Sequence, residues 1–323
     1  MKKYLITGFS GFVSQHFLEY LDSVEEKIQV QGIDINEPDF DYSSFKNLDC
    51  SFNVMDLLNK EDVDDIIYQF QPDYILHLAS FSSVAFSWKN PMVSFTNNTN
   101  IFLNLLEQVK NLGLKCRILS VGSSEEYGDV DENDIPLKET SKLNPISPYA
   151  VARVSQELLS KVYVDGYDLD IVLTRSFNHI GPRQKDIFVI SSFVKKIVEI
   201  KHNNANPSIT TGNLEIIRDF LDVRDVVRAY YEILNHGRKG EIYNICSGKG
   251  TSLKTIISMV SNILAFQIET VQDPGLVRPN DNRIIIGDNT KITSEIGWKP
   301  AISLENSLRD IVNYWEKEYE GTN

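Results

Sequence analysis

The chain is short of several features that would point to particular functions. Its three cysteines, Cys50, Cys116 and Cys246, are spread over 323 residues. They lack the paired spacing of a disulfide framework or a zinc site, which suits a reducing, cytoplasmic setting and predicts no metal centre. No apolar run approaches the roughly 18 residues of a membrane span, and Tyr4 to Thr7 is too short a core for a signal peptide. No Pro/Gly-rich linker, repeat or low-complexity tract divides the sequence. Positive charge is scarce too: 32 Lys and Arg against 45 Asp and Glu leave a net charge of −13, and the cations are scattered. Such a chain offers no field for nucleic acid or an anionic membrane, so a polyanionic ligand needs a local pocket.

What is present is a globular composition, 42% hydrophobic and 24% charged, and enough length for one large or two interlocked domains. Tyr4-Leu5-Ile6 ends at Thr7-Gly8, and Phe12, Val13, Phe17, Leu18 and Leu21 then recur at helical spacing, which reads as strand, glycine turn, helix. Further strands are expected over Ile28 to Ile35, Tyr74 to Ala79, Arg117 to Gly122 and Leu169 to Arg175. Helical patterning lies between them, over Val63 to Phe70, 93–112 and 149–166. This alternation predicts an α/β chain with a Rossmann-type, doubly wound parallel sheet. After Phe177 the rhythm changes, predicting a smaller α/β C-terminal substrate lobe with a helix near 190–202 and short strands around Ile216 to Phe220 and Glu241 to Cys246. The charged tail Glu316 to Asn323 is expected to fray.

The loop Thr7-Gly8-Phe9-Ser10-Gly11-Phe12-Val13-Ser14 stands where a helix N-terminus can hold a pyrophosphate. Gly8 suits the tight turn and Gly11 the close approach of backbone to phosphate, while Ser14 replaces the usual third glycine. Asp34 ends the second strand roughly 20 residues beyond the loop, where a carboxylate accepts hydrogen bonds from ribose hydroxyls and repels a 2′-phosphate. The reading is a site for NAD(H). Farther on, Ser123 follows a strand, and Tyr149 and Arg153 lie four apart on one helix face, bringing a phenol and a fixed cation together. Such a pair can exchange a proton with a sugar hydroxyl or carbonyl while hydride moves to or from a nicotinamide, with Ser123 hydrogen-bonding the same oxygen.

The glycine loop, the Ser123/Tyr149 pair and the order of segments resemble the extended short-chain dehydrogenase/reductase family. Ser123-Ser124-Glu125-Glu126-Tyr127-Gly128, Ser176 to Pro182, Arg218-Asp219-Phe220, Tyr243 to Gly248 and Gly297-Trp298-Lys299-Pro300 are especially similar to its GDP-4-keto-6-deoxy-D-mannose reductases. The resemblance implies a GDP-sugar substrate and an oxidoreductase acting at C4. It implies an NAD-binding domain of residues 1-176 with 222-248 and a sugar-nucleotide lobe of 177-221 with 249-323. It places Ala79, Ser80 and Asn97 near the cofactor and Asp56 and Leu57 at its adenine. Asn178, Arg218 and Arg278 fall at the sugar nucleotide, the arginines on its pyrophosphate, with Asp281 on the ribose. Phe188, Val189, Lys195, Gly212 and Asn213 fall around the base. It also implies a homodimer through helices 93–112 and 149–166; Phe102, Leu103, Leu105, Leu106 and Val109 exceed a narrow single-face stripe, which suits either that interface or the core.

The sequence departs from that pattern at two places and shares one feature with a neighbouring activity. The cation four residues after the tyrosine is normally lysine, and Arg153 is longer, planar and unable to give up a proton. Asp34 favours NAD(H), which also suits a GDP-hexose or GDP-heptose 4-dehydrogenase. Glu125 coincides with the acid/base of the related 4,6-dehydratases, so a dehydratase or epimerase is the second expectation, and a non-catalytic dinucleotide-binding module is the third.

Overall fold

The structure is a computed structural model describing residues 1–24, 27–276 and 282–322. The first half runs β1 (Lys2–Thr7), α1 (Phe12–Asp22), β2 (Ile28–Asp34), β3 (Leu48–Val54), α2 (Lys60–Phe70), β4 (Tyr74–His77), α3 (Val84–Lys89), α4 (Pro91–Leu112), β5 (Arg117–Ser123), α5 (Pro148–Tyr167) and β6 (Asp170–Ser176). The second continues with β7 (Asn178–Ile180), α6 (Val189–His202), β8 (Ser208–Thr211), β9 (Ile217–Asp222), α7 (Val223–His236), β10 (Ile242–Ile245), β11 (Gly250–Ser252), α8 (Leu253–Leu264), β12 (Glu269–Gln272), β13 (Ile284–Ile285), α9 (Thr290–Ile296) and α10 (Leu304–Thr322).

Seven strands form one sheet in the order β10-β6-β5-β4-β1-β2-β3, every neighbouring pair parallel. The chain steps outward from β1 to β3 and then crosses back to β4 on the other side of β1. The carboxyl ends of β1 and β4 therefore flank the crevice in which such sheets bind ligands. Helices cover both faces, so Tyr4, Leu5, Ile6 and Thr7 are all buried rather than alternating. Phe17, Leu18 and Leu21 of α1 and Val226, Tyr230 and Ile233 of α7 close one face. Val63 and Ile67 of α2 and Phe102, Leu105, Leu106 and Val109 of α4 close the other. Each such side chain contributes about 1.5–3 kcal/mol by leaving water.

The start of α5 is fixed locally, and with it the position of Tyr149. Pro148 occupies the first turn, where its missing N–H costs nothing, and the Ser147 hydroxyl accepts the Ala150 N–H at 3.1 Å.

In the second lobe β9 pairs with β7, β11 and β13. Helices α6, α8 and α10 enclose a separate core that includes Val194, Ile197, Ile256, Val260, Leu308 and Ile311. Trp298 returns to the first core, where its indole N–H donates to the Asp225 carbonyl at 3.1 Å. Among the described residues no helix is long and apolar enough to cross a membrane, and no His/Cys/Asp/Glu group is arranged to hold a metal.

One expectation is corrected and one open alternative is decided. The tail does not fray: α10 runs through Glu316, which pairs with Lys201 at 2.9 Å and with His202, while Tyr319 stacks on His202. Contacts to α6 outweigh the local preference of a charged terminus. Phe102, Leu105, Leu106 and Val109 pack against this chain's own sheet, with Leu103 partly buried beside them. Exposed apolar positions lie on both helices, at Met92, Val93 and Phe95 on α4 and at Val151, Leu158 and Val162 on α5.

Candidate active site

Gly8 adopts φ +71°, and a Cβ there would stand 2.8 Å from the Ala79 nitrogen. Only glycine meets both conditions. Gly11 precedes α1; no side chain caps that helix end among the described residues, and its first turn holds no acidic group. Phe12 and Val13 thus begin a helix whose N–H groups and dipole are available to a phosphate. Ser14 is fully buried, so it does pack where the third glycine usually stands. Asp34 is fastened beside the loop: one carboxylate oxygen accepts the Ser10 N–H at 3.0 Å and the other the Asn36 N–H at 3.2 Å.

At the end of β3, Asp56 accepts the Leu58 N–H at 2.9 Å and Leu57 is buried. After β4 the Ala79 N–H donates to the Thr7 hydroxyl at 3.2 Å. The Ser80 hydroxyl is buried without a partner among the described residues, and Asn97 is half-buried on α4. The tight glycine turn, the uncapped helix end and the orphaned hydroxyl fit a dinucleotide lying across β1 and β4. Gly8, Gly11, Asp34 and Ser80 are placed to hold it.

The next strand over leads into the Ser123–Gly128 segment, against which α5 packs. Ser123 ends β5, its N–H donating to Glu126 Oε1 at 2.7 Å and its Oγ accepting the Glu125 N–H at 3.2 Å. Glu125 is thereby set on the short turn Ser124–Tyr127, immediately past the serine. Helix α5 packs against β5 and that turn, burying Tyr149. Arg153 Nε donates to the Tyr149 hydroxyl at 3.2 Å, and Nη1 donates to the Val121 carbonyl at 3.1 Å and to Gln156 Oε1 at 2.6 Å.

The second lobe places Asn178 and Arg218 on neighbouring strands, with Asn178 opposite Phe220. Arg218 Nη1 is anchored by the carbonyls of Ile217 at 2.9 Å and Asn282 at 2.8 Å. Phe188 and Val189 open α6, and Lys195 nearly two turns on pairs with Asp186 at 2.6 Å and lies over Trp315. Gly212 packs against the Leu276 backbone, and Asn213 accepts the Glu215 N–H at 3.0 Å. Arg278 and Asp281 lie outside the described residues.

A family model described as GDP-mannose 4,6 dehydratase matches residues 5–311. The chain belongs to that family. It is 31% identical to GDP-6-deoxy-D-mannose reductase of Pseudomonas aeruginosa, over 98% of this chain and 97% of the relative. It is 28% identical to GDP-6-deoxy-D-talose 4-dehydrogenase of Aggregatibacter actinomycetemcomitans, over 91% of each. The structure of RMD from Pseudomonas aeruginosa complexed with NADPH superposes with a TM-score of 0.86 at 31% identity, covering 98% of this chain and 100% of that one.

In this member of the GDP-mannose 4,6-dehydratase family, several buried polar groups support the site without having stood out in the sequence. His77 accepts or donates to the Thr7 hydroxyl at 2.9 Å, and burial together with the charge of Arg153 holds its imidazole down at about 3, hence neutral. Glu126 is fully buried; burial and the neighbouring charge of Glu157 push its carboxyl well above the ordinary carboxylate range. Glu157 is clamped by Arg175 through bonds of 2.8 and 2.9 Å, while Arg175 Nε stands 3.9 Å from Glu126 Oε2. Gln156 carries a readable signal. Tyr149, Arg153, Gln156 and Ser160 recur at helical spacing, a polar stripe that α5 buries.

Proposed function

We propose that the chain is an NAD(H)-dependent oxidoreductase acting at C4 of a GDP-linked sugar. It is a GDP-4-keto-6-deoxyhexose reductase or a GDP-hexose/heptose 4-dehydrogenase, working in nucleotide-sugar biosynthesis for surface polysaccharide. The observation that carries this reading is the hydrogen bond from Arg153 to the Tyr149 hydroxyl, at the sheet edge that bears Ser123 and the Gly8–Gly11 loop. When bound, the dinucleotide supplies hydride to a C4 ketone or accepts it from a C4 alcohol. Tyr149 gives its hydroxyl proton to the C4 oxygen in reduction and takes it up in oxidation, while Ser123 hydrogen-bonds that oxygen. Ketone, hydride and proton together make the alcohol, and the reverse balances equally.

Asp34 supports NAD(H), although the Pseudomonas structure contains NADPH. The stretch that follows it, Ile35 to Asp41, contains Glu37, Asp39 and Asp41 and no lysine or arginine to meet a 2′-phosphate. Arg218 and Arg278 neutralise the sugar nucleotide's diphosphate, with Asn178 and Asp281 beside the sugar and ribose; Phe188, Val189, Lys195, Gly212 and Asn213 surround the base. The GDP moiety is supported by the names of the relatives. The exposed stripe Val151, Leu158 and Val162 on α5 supports a homodimer through that helix, and three free thiols suit the cytoplasm.

A 4,6-dehydratase is the second reading, favoured by the Glu125 N–H bonded to the Ser123 hydroxyl. Incubation with GDP-mannose and NAD separates the two: a product lighter by one water with no net cofactor reduction makes Glu125 catalytic. Oxidation of NADH by GDP-4-keto-6-deoxymannose supports the reductase instead.

A further inference from the structure

Arginine in place of the usual lysine raises a packing problem that α5 itself solves. A guanidinium presents five N–H donors in a rigid plane and no acceptor, so burying it leaves each donor in need of an oxygen. Arg153 is 5% exposed. Its Nε–H goes to Tyr149, and its Nη1 hydrogens go to the Val121 carbonyl and to Gln156 Oε1, the last at 2.6 Å.

Gln156 lies one turn farther along the same face and is 1% exposed. Because the guanidinium can only donate, the amide must turn its oxygen to Arg153 and its NH2 inward. There Nε2 donates to the Ser120 hydroxyl at 2.9 Å and to the Val121 carbonyl at 3.3 Å, and the Ser160 hydroxyl closes the far side on Ser120 at 3.2 Å. The row Tyr149, Arg153, Gln156, Ser120, Ser160 is continuous, and each bond fixes the next. An ammonium at position 153 would be a compact charge with no plane to orient, and the amide oxygen would have no fork to hold.

We propose that Gln156 is a positioning residue for the reaction: its amide oxygen fixes the Arg153 guanidinium against the Tyr149 hydroxyl, which lets arginine serve where the family motif carries lysine. This inference rests on the oxidoreductase reading. Gln156 is buried along α5 and acts through Arg153.

The test is a double-mutant cycle on the full chain, with Q156L, Q156E, R153K and R153K/Q156L assayed for NADH oxidation by GDP-4-keto-6-deoxymannose. Melting temperature, NADH affinity by fluorescence and a crystal structure of Q156L are measured alongside. Q156L is expected to bind NADH as the wild type does, to lose kcat about tenfold with little change in KM, and to show Arg153 swung out of hydrogen-bond reach of Tyr149. Q156E keeps an acceptor and recovers most of the rate. In the R153K background Q156L adds little further loss. If Q156L does not fold, Q156N, one methylene shorter, makes the same comparison. Full kcat in the Gln156 variant, or an equal fold-loss in both backgrounds, overturns the inference while leaving the function standing. A wild type that transfers no hydride overturns the function first and the inference with it.

Discussion

Arg153 reaches back one turn along α5 and donates its Nε–H to the Tyr149 hydroxyl at 3.2 Å, its guanidinium 5.3 Å from the centre of the same ring. The spacing of four residues and the fixed start of the helix at Pro148 make the pair. Tyr149 thereby has one defined place from which to hand a proton to a sugar oxygen. Replacing it with phenylalanine keeps the ring and removes the proton. Tyr149→Phe is expected to lower kcat by about 10²–10⁴ and to leave NADH and GDP-sugar binding within a few-fold, as read by steady-state kinetics and equilibrium titration.

Asp34 is held beside the glycine loop by two backbone N–H groups. Its carboxylate is the group that a 2′-phosphate would meet. Asp34→Ala is expected to move the ratio of kcat/KM for NADH over NADPH by about tenfold or more toward NADPH, the scale of a removed like-charge contact. An unchanged ratio places cofactor choice elsewhere.

Gly8 combines a positive φ with a neighbour 2.8 Å from any added Cβ. Gly8→Ala should lower stability by about 1–2 kcal/mol, read by urea unfolding, and should lose NADH binding by more than that stability change accounts for.

Glu126 gives the fold a pH dependence with a definite sign. Burial, then the charge of Glu157, raises its carboxyl above the unfolded value. Its stabilising share is therefore complete below the ordinary carboxylate range and is lost as pH rises through the raised value, because there the unfolded chain has released a proton that the native state keeps. Glu126→Gln keeps an acceptor for the Ser123 N–H and cannot titrate. Between about pH 5 and about pH 8 the wild type should lose stability relative to this variant by roughly 1.4 kcal/mol per pH unit, several kcal/mol in all, measured by denaturant melts at each pH.

The stripe Val151, Leu158 and Val162 remains exposed on α5 while Tyr149, Ala152, Arg153, Gln156 and Ser160 of the same helix are buried. Leu158→Glu with Val162→Glu should convert a dimer to a monomer in sedimentation without lowering the melting temperature of the protomer by more than a few degrees. A wild type that sediments as a monomer removes the proposed interface.

Much of the first half was legible because parallel strands covered on both faces leave continuous apolar runs, and their glycine turns fall at fixed offsets. Thr7 to Gly11, Asp34 and Ser123 fall at the carboxyl ends of β1, β2 and β5, and the pair Tyr149/Arg153 on α5 is tied to β5 through Val121. Much of the second lobe was not. Strands as short as Gly250–Ser252 and Ile284–Ile285 carry too few residues to show a period, and the charged tail looked like a free end because its partners, Lys201 and His202, are more than a hundred positions away. Glu126 was hidden for a different reason, and Gln156 was legible only as one member of a polar stripe on α5. Polar residues in the sequence read as solvent-facing, and only tertiary packing places the carboxyl of one under Ser123 and the amide of the other under Arg153. The apolar run on α4 stayed open between core and subunit interface because periodicity alone does not distinguish a core face from a docking face.

The most direct measurement follows deuterium from the reduced nicotinamide carbon of labelled NADH while the enzyme turns over GDP-4-keto-6-deoxymannose. The account predicts one NADH oxidised per sugar nucleotide consumed, one deuterium found at C4 of the GDP-6-deoxyhexose product, and loss of that transfer in Tyr149→Phe. Turnover with no label at C4, or no NADH consumption with this or any related GDP-linked ketone, contradicts it.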